Sequence, residues 1–291
     1  KKLNVLNDKK LAAITDLNLT VHQKEILGMA GISGNGQTEL SEVLFGMRSP
    51  VDGAIQINDR PLKFGSPAAS IQSQMGRIPE DRIDTGLLMD LSVEENLILE
   101  NHSSDAFQIW GLMKSQKIHR FSDGLIEAYS IKTAGRDAVT KSLSGGNIQK
   151  VVVARELSRE PRVLIAAQPT RGVDIGATEY IHALLLEQRQ NGLAILLISE
   201  DLDEIMALSD RIAVINDGRI VGEAPRRDAD VKTIGLMMAG VPGAAADGPL
   251  RVDAMTEPNK ESDVAAPMGG VIDTSAPGET ASVEQFGIPP G

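Results

Sequence analysis

One stretch constrains this chain more than any other: EILGMAGISGNGQTEL, residues 25–40. Residues 25–31 read as a buried strand, three glycines follow within six positions (Gly31, Gly34, Gly36), and QTELSEVLFG then sets Leu40, Val43 and Leu44 at helical spacing before Gly46. A strand, a glycine loop and a helix in that order aim backbone N–H groups and the positive end of a helix at one anion. The phosphate-loop pattern Gly-x-x-x-x-Gly-Lys-[Ser/Thr] places a lysine where the phosphate charge is greatest, and this chain has Gln37 there. Gln37 donates hydrogen bonds without bringing charge, so weakened triphosphate binding is expected. Ser33, Asn35 and Glu39 complete the candidate loop, and the Thr38 hydroxyl is placed to reach a magnesium ion. Taken alone the loop is a weak signal, because a glycine-rich turn with no ligand reads the same way.

The rest of the chain says what the loop is embedded in. Up to about Gly240, strand-like and helix-like segments alternate, the mark of an α/β layered fold. VLIAA (163–167) and AILLIS (194–199) read as central strands, with the helical TEYIHALLLEQRQ (178–190) between them. RIAVINDGRIVGEA (211–224) carries an Asp217-Gly218 turn between two alternating runs and reads as a hairpin. Residues 87–142, with Phe107, Trp110 and Tyr129, are expected to form a mostly helical inserted lobe. Beyond residue 240 the texture changes: residues 244–291 hold eight acidic residues against Arg251 and Lys260, with Phe286 the only aromatic. So little apolar surface cannot offset the entropy of ordering, and 241–291 is expected to be a disordered acidic tail.

Bulk properties exclude several classes. A net charge of −11 argues against a nucleic-acid binder, which normally shows a basic face. With no cysteine there is no disulfide, thiolate metal site or cysteine nucleophile. The four histidines, His22, His102, His119 and His182, share no ligand-like spacing. No apolar run approaches the roughly 20 residues a membrane span needs. No signal peptide is visible, so a cytoplasmic protein, peripheral to a membrane, is the default. The chain begins at Lys1 without methionine, which is expected of a fragment or a processed product.

The strong signal is LSGGNIQK (143–150), followed by helical VVVARELSREP. An isolated Ser-Gly-Gly turn would mean little, but eight residues at this distance from a glycine loop resemble the signature motif of ATP-binding-cassette proteins, in the form found in tandem-cassette importers of sugars and nucleosides. The resemblance covers roughly residues 3–240 and is nearest to the second cassette of such importers. It implies a RecA-like P-loop ATPase core, with an N-terminal antiparallel β subdomain and an inserted helical subdomain. The other motifs fall in register but are altered at their chemical positions. In VLIAAQPTRGVD (163–174), Ala167 replaces the magnesium-holding aspartate and Gln168 the glutamate that polarises water, and neither can act as an anionic base. Glu200, in LLISEDLDEI (196–205), replaces the histidine that senses the γ-phosphate. Glu80, in GRIPEDR (76–82), stands at or beside the glutamine-loop position, and no aromatic precedes Phe45 to stack on adenine. Arg82 and Arg171 are the cations that could reach phosphates in place of the missing lysine.

In the family two cassettes pair head to tail, each ATP lying between the glycine loop of one and the signature of the other. The resemblance therefore implies that Leu143, Ser144, Gly145, Gly146, Asn147 and Gln149 serve a partner's ATP in trans, with Asp174 in the loop that crosses the interface. It implies ATP and Mg2+ as cofactors, weakly held or absent at this chain's own half-site. Its partners would be a second cassette, membrane permease subunits and, indirectly, a solute-binding protein. AAQPTRGVDIGA, and PEDR followed by GLLMDLSVEENL, resemble the nucleoside and simple-sugar branches. A regulatory or scaffolding pseudo-cassette is the alternative. A soluble cassette protein of the ribosome or of DNA repair is disfavoured by the acidic charge.

Overall fold

The computed structural model describes residues 1–241, so the acidic tail expected over 241–291 lies, past its first residue, outside the described residues. The chain opens with an antiparallel pair, β1 (Leu3–Leu6) and β2 (Ala12–Leu17), whose inward residues Leu3, Val5, Ile14 and Leu17 are buried. Strand β3 (Ile26–Ala30) is buried at every position and runs through the glycine loop into helix α1 (Gln37–Leu44). A short hairpin, β4 (Gln56–Ile57) and β5 (Arg60–Pro61), and helix α2 (Pro67–Gln72) lead to strand β6 (Met75–Ile78). Ser66 caps α2 and a proline begins it, the arrangement that starts a helix without wasting a donor.

Residues 87–142 contain less helix than expected. Helix α3 (Val93–Ile98) starts at a capping box between Ser92 and Glu95, and helix α4 (Ser115–Ala128) follows a hairpin of β7 (Gln108–Ile109) and β8 (Leu112–Met113). Trp110, at the hairpin tip, is 99% exposed, whereas Phe107 and Phe121 pack as a tilted pair with ring centroids 4.9 Å apart. The aromatic residues that suggested one packed lobe thus divide between its core and its surface.

Helix α5 (Gly145–Leu157), strand β9 (Val163–Ala167), helix α6 (Ile175–Gln190), strand β10 (Ala194–Ser199) and helix α7 (Leu202–Leu208) complete the alternating part. The expected hairpin is β11 (Arg211–Asn216) with β12 (Arg219–Pro225), and helix α8 (Val231–Met238) follows. The main sheet has the order β12-β11-β3-β10-β9-β6, parallel except for the β11–β12 pair. Apolar clusters cover both faces, which is why β3, β9 and β10 read as unbroken apolar runs rather than alternating ones. This is the RecA-like α/β layering that the resemblance implied. Among the described residues no helix is long and apolar enough to cross a membrane.

Candidate functional site

In an open parallel sheet, ligands bind outside the carboxyl ends of the strands, where the connecting loops diverge. Here the glycine loop follows β3, Glu80 follows β6, Gln168 follows β9 and Glu200 follows β10, so four distant stretches of sequence meet at one edge. The cleft they line brings together Gln37, Thr38, Glu80, Ala167, Gln168 and Glu200, with Ser33 and Gly34 on its loop side. Gly31, Asn35, Gly36 and Glu39, also read as loop residues, do not line it. Gly36 has φ +99°, and a Cβ there would lie 2.5 Å from the Ala13 carbonyl, so the start of α1 requires glycine against the N-terminal sheet.

Gln37 lines the cleft, but its amide is turned onto its own loop. Its amide nitrogen donates to the Ile32 carbonyl at 3.0 Å, and its carbonyl oxygen accepts from the Asn35 N–H at 3.1 Å. Asn35 is fastened in turn to the β11–β12 turn: its side-chain oxygen accepts from the Asp217 N–H at 3.0 Å and its main-chain carbonyl from the Gly218 N–H at 3.2 Å. The first N–H groups of α1 have no intrahelical acceptor, and Gly36 supplies no side-chain cap, so the helix still presents donors to an anion.

The charges are arranged against a triphosphate. Thr38 Oγ1 donates weakly to Glu80 at 3.4 Å, and Glu80 pairs with Arg171. Arg82 spends its guanidinium on two backbone carbonyls, of Arg171 at 2.5 Å and of Gly172 at 2.8 Å. Neither arginine therefore stands in for the missing lysine, because each is engaged by the other's loop, across about 90 residues of sequence, and neither lines the cleft. The cation that does line the cleft is Arg77, which the sequence reading passed over. It sits on β6, where one polar residue among buried ones gave the only hint, and it donates to Ser41 at 3.3 Å. Burial pulls its guanidinium down from the ordinary value, while Glu42 and Glu156 oppose that shift. Among the described residues no group of three or more acidic or histidine side chains is placed to hold a metal ion. The backbone of the cleft thus fits a phosphate, whereas its side chains do not fit a magnesium triphosphate poised for hydrolysis.

The signature residues lie outside this cleft, at the start of α5. Ser144 is exposed and does not cap its own helix, so the leading N–H groups of α5 are open. Its Oγ accepts from the Asn147 amide at 2.8 Å, which leaves the hydroxyl proton free to donate outward. Gly146 lets α5 approach α6, since a Cβ would fall 2.9 Å from that of Ala177. Gln149 is buried and donates to the Pro169 carbonyl at 2.7 Å, so unlike Ser144 it cannot face a partner. Leu143 packs against the core, and Asp174 caps α6 by accepting from the Ala177 N–H at 2.9 Å.

Two carboxylates missed in the sequence anchor these elements. Glu204, on α7, accepts from Thr170 at 2.6 Å and pairs with His182 at 3.0 Å. Burial opposes its ionisation, but hydrogen bonds from His182, Thr170 and Ser199 outweigh that and hold it below the usual glutamate range. At the far end of α5, Glu156 is buried between Arg155 and Arg159, beside Glu100. Burial, reinforced by the neighbouring Glu156 charge, pushes Glu100 up to about 7.

Comparison with known proteins gives the fold and the family. Solved structures of similar fold include a nucleotide-free ATP-binding cassette from an ABC transporter (TM-score 0.68, 18% identity, 84% of this chain and 95% of that one) and the dimeric post-hydrolysis state of an ATP-binding cassette bound to ADP and phosphate (TM-score 0.66, 20% identity, 78% and 97%). In sequence the chain is 40% identical over 238 residues to the guanosine import ATP-binding protein of Bacillus subtilis, covering 82% of this chain and 47% of that one. It is 39% identical over 240 residues to the ribose import ATP-binding protein of the same species, covering 82% and 48%. It is also 39% identical over 240 residues to the nucleoside import ATP-binding protein of Lactococcus lactis, covering 82% and 47%. The chain spans about half the length of the curated relatives it matches. The ABC transporter family matches residues 14–171, more than half of the sequence, and on that ground, together with the glycine loop, the signature helix and the layered sheet, the chain belongs to the ABC transporter family.

Proposed function

We propose that this chain is the degenerate second cassette of a tandem-cassette importer for nucleosides or simple sugars, and that it supplies its signature motif in trans to a partner cassette's ATP. The observation that carries this reading is the contrast between an altered cleft and an intact, outward-facing signature. Ser144 and the open N–H groups of α5 would make an anion site that lies outside this chain's own cleft. Beside Asp174, Ile175 is 80% exposed at the start of α6, an apolar residue that a partner cassette would cover. The span of about half of each importer relative fits one cassette of two. ATP with magnesium would bind chiefly at the composite site completed by this signature. Permease subunits on the cytoplasmic face of a membrane, and through them a solute-binding protein, would be the remaining partners, with residues 1–240 as the cassette.

The test is ATP turnover by this chain alone, by a complete first cassette alone and by their mixture. The chain alone should be silent, and the mixture should exceed the first cassette by about tenfold or more, a gain that one added set of charge-stabilising donors accounts for. A mixture no faster than the first cassette would instead favour the scaffolding pseudo-cassette. Normal turnover by this chain alone would overturn the degenerate reading of Gln37, Ala167, Gln168 and Glu200.

A further inference from the structure

Glutamine differs from lysine in more than charge. An ammonium offers three donors and no acceptor, whereas a side-chain amide offers both. Gln37 uses both: its nitrogen faces the Ile32 carbonyl and its oxygen faces the Asn35 N–H. Only this orientation of the amide satisfies the two contacts, since the reverse would set acceptor against acceptor and donor against donor.

We infer that Gln37 is an internal ligand of the glycine loop: it takes the Asn35 N–H out of the set of phosphate donors and holds the loop closed without nucleotide. The inference rests on reading the cleft as a degenerate nucleotide site. A lysine at this position could not accept from Asn35, so that donor would stay available to a phosphate. With glutamine, all three polar groups of the Asn35 backbone and side-chain oxygen are engaged, one by Gln37 and two by the β11–β12 turn. A phosphate oxygen that claimed the Asn35 N–H would have to displace the Gln37 oxygen, which is only 9% exposed at its residue and would be left without a partner. Glu80 and Glu200 share the cleft and oppose a polyphosphate, while the Arg77 guanidinium there donates to Ser41. The loop therefore discriminates against a polyphosphate chain by being already occupied from within, in addition to lacking the charge.

Hydrogen–deuterium exchange of the full chain, followed in the peptide covering residues 31–38, tests this directly. Wild-type protein should show a protected loop with no nucleotide present, changed less than about twofold by millimolar ATP with magnesium. Gln37→Leu, similar in size but with neither donor nor acceptor, should speed exchange at Asn35 by about tenfold or more while leaving the α5 and β10 peptides unchanged. Gln37→Lys should also open the loop, and should regain protection when ATP and magnesium are added. Exchange in wild type as fast as in Gln37→Leu, or strong protection of the wild-type loop by ATP, would overturn the inference. The wild-type arms stand even if a variant fails to fold. Loss of this inference would leave the in-trans role of the signature untouched, because that role is read from turnover in the mixture.

Discussion

Two helix N-termini in this molecule, those of α1 and α5, start from the same backbone device and end in opposite states. Glycine stands at the start of each, Gly36 just before α1 and Gly145 and Gly146 as the first residues of α5, and each leaves its first N–H groups without an intrahelical acceptor or a side-chain cap. At α1 the next side chain turns inward, where Gln37 bridges Ile32 and Asn35. At α5 the capping residue turns outward, where Asn147 takes one lone pair of Ser144 and leaves the hydroxyl proton free. On the reading proposed above, an anion site would be made or unmade by the hydrogen-bond capacity of one adjacent side chain, with the helix itself unchanged.

The sharpest way to break that contrast is Ser144→Arg, which fills the open end of α5 while leaving its buried face alone. Measured as ATP turnover on mixing with a first cassette, the gain of about tenfold or more should be abolished, since the charge-stabilising donors at the start of α5 are blocked. The same substitution should leave the melting temperature within about 2 °C, since Ser144 is exposed.

A second experiment probes what holds α5 in place. Glu100 is raised from the ordinary 4.5 to about 7, so between those values the folded chain binds more protons than the unfolded one, and stability falls as pH rises through that window. Glu100→Gln, which mimics the protonated form, should match wild type near pH 4.5 and exceed it above pH 7 by on the order of 2 kcal/mol in urea denaturation. A gain that does not depend on pH would mean that Glu100 is not the group titrating there.

A smaller effect is expected at the contact between α5 and α6. Gly146→Ala must push α5 from Ala177, at a net cost of about 1 kcal/mol after the better helix propensity of alanine is credited. Because the signature moves with its helix, turnover in the mixture should fall more than stability does. The smallest effect belongs to Trp110→Ala: with the side chain 99% exposed, stability should change by less than about 0.5 kcal/mol by thermal unfolding. A larger change would mean that the hairpin tip is covered in solution.

Much of this architecture was legible because it rests on local pattern. The apolar runs at 26–30, 163–167 and 194–199 could be placed as central strands since both sheet faces are covered, and the Asp217-Gly218 turn announced its hairpin. The lobe at 87–142 was less legible. Its two helices total less of the segment than expected, and Phe107 and Trp110, three residues apart, belong to core and surface respectively, a division no spacing rule distinguishes. Within the cleft, the sequence supplied Gln37, Ala167, Gln168 and Glu200 through motif register, yet could not say that Arg82 and Arg171 were already engaged. Arg77 and the Glu204–His182–Thr170 contacts went unseen, because each joins residues separated by tens of positions.

By itself, then, the sequence determined the layered α/β fold, the order of its motifs and the absence of charge at Gln37, since periodicity, glycine spacing and side-chain chemistry are properties of the chain alone. Only the tertiary structure decided where that chemistry points: which arginine faces the cleft, that Asn35 is fastened to a turn 182 residues away, and that Ser144 looks outward while Gln149 looks in. Direction is set by which strand ends meet across the sheet, and that ordering exists only once β3, β6, β9 and β10 are paired.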